Sequence, residues 1–259
     1  MDFLKKNLVY ALAGALVLAV GGFSLTRNPA FAVAGFVVLL ALVVHDLTPS
    51  KWNAKEMKKT AIELVIALAL ALAVWTGLQV ALSNSTPVDV VTSCSMLPNL
   101  ERGDMIIVQG KTPRTTEIRF SGTLESAEKD LRVVKEPCLL RESGVPVQVA
   151  CTQAVVYKGK EYALNPENDV IVFDAEPSLY GLIVHRAFAR LTNGTDSFYL
   201  TKGDNNIGID QEAGFSPVPQ KAVKGVVVSR VPLVGFLKLF LFMQFDEPPG
   251  CKQLLAGGE

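Results

Sequence analysis

Residues 61–98 read AIELVIALALALAVWTGLQVALSNSTPVDVVTSCSMLP. From Ala61 to Leu82 the stretch is apolar almost throughout, and a bilayer core needs roughly 20 such residues. The texture then turns polar. Ser93-Cys94-Ser95-Met96-Leu97-Pro98 follows, with its second serine about a dozen residues beyond Leu82. On an extended backbone the hydroxyls of Ser93 and Ser95 lie on one side. One can attack a carbonyl while the other donates a hydrogen bond to the oxyanion that forms. A serine so close to the end of a span stays near the bilayer surface, where it meets membrane-inserted substrates.

Working toward the N-terminus, two more apolar blocks appear, at about residues 7–25 and 30–45. The second is short and borrows flanking residues such as Pro29 and His45. With 61–82 they predict three transmembrane helices and a membrane anchor over residues 1–82. A cleaved signal peptide is the alternative for the first block, but no small-residue cleavage site follows it cleanly. Of 259 residues, 49% are hydrophobic and 19% charged, against about 25% charged in soluble domains. The anchor accounts for the deficit. Lys5 and Lys6 precede the first block, and Lys51, Lys55, Lys58 and Lys59 crowd the 46–60 loop. Arg27 alone marks the opposite side. This bias predicts a cytoplasmic N-terminus and an extracytoplasmic domain over 83–259. The formal net charge is zero, with 25 basic and 25 acidic residues, so nothing suggests nucleic-acid binding.

Working toward the C-terminus, short apolar alternations broken by Gly, Pro, Asn and Asp predict a mainly-β domain. Strands are expected at 105–108, 155–157, 170–173, 182–189, 197–201 and 223–228. Residues of about 111–148 are polar and less periodic, and read as an inserted excursion with its own structure. Leu233 to Phe245 is apolar but short for a span. It reads as a helix lying at the membrane interface, with a fourth span as the alternative.

A serine hydroxyl needs a base. His45 belongs to the cytoplasmic end of the second block. His185 is the one imidazole in the outer domain. Alternation places it on a face with Ile183, Ala187 and Ala189, and turns Val184 and Arg186 away. Lys202 is the best lysine alternative, though its polar turn offers nothing to lower its pKa. Arg186 cannot serve as a base at neutral pH. Asp204 and Asp210 are both candidates to orient the imidazole, with turn chemistry as the other reading of each. Cys138 and Cys151 are the expected disulfide pair. Cys94 reads as a small buried side chain. Asn84-Ser85-Thr86 and Asn193-Gly194-Thr195 are glycosylation sequons. No metal or nucleotide site is visible.

The residues 93–98 followed by Arg102-Gly103-Asp104, then 169–173, Ile183-Val184-His185-Arg186 and Leu200-Thr201-Lys202-Gly203-Asp204-Asn205-Asn206, resemble the ordered motifs of type I signal peptidases. Bacterial members carry a lysine as base. A histidine there resembles the endoplasmic-reticulum and archaeal type. The resemblance covers roughly residues 60–110 and 165–245. It implies the signal-peptidase fold, Ser95 as nucleophile and His185 as general base. It also implies Asp210 as the orienting carboxylate and Asp204 as a second aspartate near the site. Ser93 would lie beside an oxyanion hole whose main donor is the Ser95 N–H, and Met96 would line the pocket for the residue before the cut. The excursion and the three spans depart from simpler members, which commonly have one anchor.

These readings predict a serine endopeptidase, without cofactor, that cleaves signal peptides from preproteins at the archaeal cell membrane or endoplasmic reticulum. Its partners would be preproteins, the lipid bilayer and, in some settings, secretion machinery or accessory subunits. The rival readings are a membrane protease with a narrow set of precursors and a non-catalytic anchored binding domain.

Overall fold

The structure is a computed structural model of the chain. It describes residues 2–26, 29–47, 54–142, 144–174, 181–242, 244, 247–248 and 250–256. Arg27, Lys51 and much of the expected 46–60 loop lie outside the described residues, as do Met243 and Phe245 of the expected interfacial segment. The chain divides into two compact units. One comprises Met1–Gly77 with Leu237–Phe245, the other Leu78–Phe236 with Asp246–Glu259.

The first unit is helical. It holds α1 (Asp2–Thr26), α2 (Pro29–Leu47), most of α3 (Ala54–Ala81) and most of the short α5 (Phe236–Leu241). Small residues let α1 and α2 approach closely. A Cβ on Gly22 would come within 2.6 Å of the Phe31 ring, and one on Gly35 within 3.4 Å of Ala19 Cβ. Among the described residues one helical stretch, Met57–Ala81, is long and apolar enough to cross a membrane, and none of it is buried. The expectation of three spans is therefore supported for the third block alone. The described apolar stretches of α1 and α2 are shorter, Asn7–Phe23 and Val33–His45. At 1.5 Å per residue the latter reaches about 20 Å, short of a hydrocarbon core of about 30 Å. Helix α5 occupies part of the expected 233–245 segment and exposes Leu237 and Leu241.

The second unit is mainly β. Its strands are β1 (Val88–Val90), β2 (Met105–Gln109), β3 (Thr116–Arg119), β4 (Leu131–Glu142), β5 (Val145–Tyr157) and β6 (Lys160–Ala163). They continue with β7 (Val170–Asp174), β8 (Leu182–Thr192), β9 (Ser197–Lys202), β10 (Val218–Pro219), β11 (Val223–Val231) and β12 (Gln253–Ala256). An eight-stranded sheet runs β1-β2-β11-β7-β8-β9-β10, with β3 added parallel to β8. A four-stranded antiparallel sheet runs β12-β4-β5-β6. Ile118, Phe188 and Leu200 from the first sheet share a core with Val155 and Tyr157 from the second.

All six expected strands are present, several of them longer than expected. The excursion is structured but its boundary is not at residue 148. It supplies β3, the helix α4 (Leu124–Asp130, capped by the Thr123 side chain) and the long β4–β5 hairpin. Gln148 falls inside β5; the outer half of that hairpin exposes Leu139, Val145 and Val147 among polar residues, so it shows none of the burial alternation seen at Val155-Val156-Tyr157. Cys138 and Cys151 brace the hairpin as a disulfide. Cys94 is buried as expected, and it is bonded to Cys251, a pairing the sequence reading did not include. The two sequons differ. Asn84 is buried and its amide donates to the Val108 carbonyl, whereas Asn193 is exposed in the β8–β9 turn.

Strand β8 carries an irregularity between Ala187 and Ala189. Ile183 and Ala187 pack with Ile171, Phe173 and Tyr199, while Phe188, Ala189 and Leu191 join the core between the sheets. The expected single face of Ile183, His185, Ala187 and Ala189 thus ends at Ala187, since an extra residue on one strand reverses the alternation. Phe188 is fully buried at this step. Phe188→Ala should destabilise the β unit by about 3–5 kcal/mol, read by denaturant titration of the full chain in detergent.

Candidate active site

The segment after β1 does not continue as a strand. Residues 93–100 form a succession of bends and turns, so Ser93 and Ser95 are not on the extended backbone expected from their spacing. Their hydroxyls nevertheless meet, Oγ to Oγ, at 3.2 Å. Ser95 is half-buried and Ser93 exposed.

His185 sits near the start of β8, paired with Ile171 on β7. Its Nε2 lies 3.0 Å from Ser95 Oγ. Its Nδ1 lies 2.6 Å from Asp210 Oδ2. Asp210 opens a short 3-10 turn, Asp210–Ala213, and both it and His185 are buried. The same carboxylate oxygen accepts a 2.6 Å bond from the Thr201 hydroxyl on β9. With Nδ1–H donating to Asp210, Nε2 is left as the acceptor for the Ser95 hydroxyl. Phe173 closes one side, its ring edge-on to the imidazole at 6.5 Å between centroids.

Asp204 takes a different place. Its carboxylate accepts two parallel bonds from Arg186, at 2.8 and 2.7 Å, and a third from the Asn99 amide at 2.7 Å. A forked pair of this kind fixes orientation as well as charge. Arg186 also donates to the Pro166 and Asn168 carbonyls. The structure therefore brings Ser93, Ser95, His185 and Asp210 into one hydrogen-bonded line, with Asp204 in a neighbouring ion pair. Met96 is 1% exposed and packs in a core cluster with Val91, Leu100, Ile106, Val108 and Val172.

Lys202 differs from its sequence reading. It closes β9 and is buried, with Nζ donating to the Gly203 carbonyl at 3.2 Å. Burial pushes its ammonium below the ordinary lysine range, while Asp204 and Asp210 oppose the shift. Among the described residues no hydrogen bond joins it to Ser95. A lowered folded pKa means the unfolded chain binds more protons between the two values, so stability rises with pH there. Unfolding midpoints of the full chain should climb with pH through the window below the ordinary lysine pKa. Lys202→Met should flatten that climb.

Sequence reasoning placed Thr201, Gly203 and Asn205 within a motif but assigned them no task. A Cβ on Gly203 would stand 2.7 Å from the Ser95 carbonyl oxygen, so only glycine lets these turns touch. The Asn205 N–H donates to that same carbonyl at 2.8 Å. Among the described residues the Ser95 N–H itself meets no acceptor. An arrangement of hydroxyl, imidazole and carboxylate with a free amide beside it can perform acyl transfer. If it does, Asp210→Asn should lower turnover by about 10⁴-fold by upsetting the tautomer, in a peptide-bond cleavage assay at neutral pH.

No family model matches the chain. Curated relatives do. A signal peptidase complex catalytic subunit SEC11 of Coccidioides posadasii is 27% identical over 219 residues, covering 83% of this chain and 95% of the relative. The protein of the same name from Fusarium vanettenii is 26% identical over 208 residues, 79% and 90% of the two chains. That from Pyrenophora teres f. teres is 28% identical over 223 residues, 83% and 93%. The resemblance drawn from the motifs is borne out.

Proposed function

We propose that this chain is a membrane-bound serine endopeptidase that removes N-terminal signal peptides from preproteins. The observation that carries the reading is the line Ser95–His185–Asp210, at 3.0 and 2.6 Å. The relatives' common name, a signal peptidase catalytic subunit, supports the protease class and the substrate. The apolar helix Met57–Ala81, with its side chains unburied, supports membrane association.

In this reading His185 Nε2 takes the Ser95 proton as Oγ attacks the carbonyl before the scissile bond. Asp210 holds the tautomer and stabilises the imidazolium. The Ser95 N–H and the Ser93 hydroxyl receive the developing oxyanion. His185 then protonates the leaving amine. Water, deprotonated by the same imidazole, hydrolyses the acyl-enzyme and frees Ser95. Small residues at the cut and two positions before it are the expected specificity, presented by a substrate strand that augments a sheet edge. Met96 contributes to that pocket through the core cluster it anchors.

Residues 1–82 serve as the anchor and 83–259 as the catalytic domain, on the side of the membrane to which preproteins are exported. Helix α5, with Leu237 and Leu241 exposed, is assigned to the membrane interface. The relatives' name refers to a complex, so accessory subunits are the expected partners.

Turnover of a model preprotein by full-length protein in detergent tests the reading. Ser95→Ala and His185→Ala should each reduce it by at least about 10⁴-fold. Undiminished cleavage by Ser95→Ala sinks it.

A further inference from the structure

We propose that Asn205 and the C-terminal segment 251–256 form a clamp that positions Ser95 for attack, with the β12-β4-β5-β6 sheet as its footing. The inference rests on the serine reading and assigns a task to residues which that reading leaves idle.

The nucleophile lies in a bend, where no ladder of strand bonds holds it. Asn205 replaces that ladder. Its backbone N–H donates to the Ser95 carbonyl at 2.8 Å, and its amide nitrogen donates to the Cys94 carbonyl at 3.1 Å. The second amide proton goes to the Gln253 carbonyl at 2.8 Å. The amide oxygen accepts from the Leu255 N–H at 2.8 Å. Asn205 is buried, and each of these bonds engages a different backbone group. The Cys94–Cys251 disulfide then joins the same two segments covalently, across 157 positions.

The segment so fastened is itself anchored. Strand β12 pairs with β4 from Gln253 opposite Glu142 to Ala256 opposite Leu139. The other side of this sheet supports the Asp210 turn. The Thr152 N–H on β5 donates to the Ile207 carbonyl at 2.8 Å, and its hydroxyl donates to Glu212 at 2.5 Å. Lys135 on β4 reaches the other Glu212 oxygen at 2.6 Å. One sheet is therefore linked to the turn that carries Ser95, through Asn205 and Cys251, and bonds directly to the turn that carries Asp210. A misplacement of about 1 Å in such an array costs about 100-fold in rate.

The test compares full-length variants in detergent by kcat and KM on a model preprotein, by the rate at which a fluorophosphonate labels Ser95, and by unfolding midpoint. Asn205→Ala, Asn205→Asp and the double variant Cys94→Ser/Cys251→Ser should lower kcat and labelling rate by about 10- to 100-fold, with KM within about twofold. Lys129→Ala removes an exposed ion pair with Glu125 on α4, outside the clamp and its footing, and should leave kcat within about twofold. The clamp is refuted if the Asn205 variants keep kcat, or if they change KM alone. It is equally refuted if Lys129→Ala loses kcat as they do, or if lost signal only tracks the unfolded fraction. A wild type that takes no label at Ser95 refutes the serine reading itself. A labelled wild type beside unaffected Asn205 variants refutes the clamp and leaves that reading standing.

Discussion

One hydrogen bond sets the demands on the whole β unit: Ser95 Oγ to His185 Nε2, between groups 90 positions apart. A bond of that length fixes two backbones to within a fraction of an ångström. One side is a strand and easy to fix. β8 pairs with β7, β9 and β3, so the imidazole stands on the most heavily bonded strand of the sheet. The other side is a turn, and a turn must borrow rigidity. It does so from the 203–206 turn, through Gly203, Asn205 and the Asn99–Asp204 bond.

Burying so much polarity near one strand has a cost that only partners offset. His185, Arg186, Lys202 and Asp210 are all buried and lie within two adjacent strands and the turn after them. Asp210 faces a histidine and a hydroxyl, Asp204 faces a guanidinium, and Lys202 leans on a carbonyl. The two aspartates therefore divide the labour by what they face. One holds a group that can gain and lose a proton. The other neutralises a cation that cannot.

The local pattern was readable where alternation meets apolar composition. Six strands and the third apolar helix announce themselves in this way. It was unreadable where both faces are wet. Residues 131–150 form most of a long hairpin, yet its outer half exposes residues such as Leu139, Val145 and Val147 alongside charges. No period emerges from such a mixture, and β12 is too short to show one. The β8 irregularity escaped for a similar reason, since a run of Ala-Phe-Ala is apolar in either register.

The sequence by itself determined which side chains are the candidates of the site. A pair of serines beyond an apolar helix, one imidazole outside it and a few ordered motifs were enough to choose Ser95, His185 and the two aspartates. Residue type and spacing carry that information, because only certain side chains can attack, accept a proton or hold a tautomer. The tertiary structure alone decided that Lys202 is buried and that Cys94 is joined to Cys251, and it set Asp210 rather than Asp204 against the imidazole, as the resemblance implied but residue chemistry left open. Those are matters of distance between remote segments, and distance is set by sheet register and packing, which no local stretch of sequence contains.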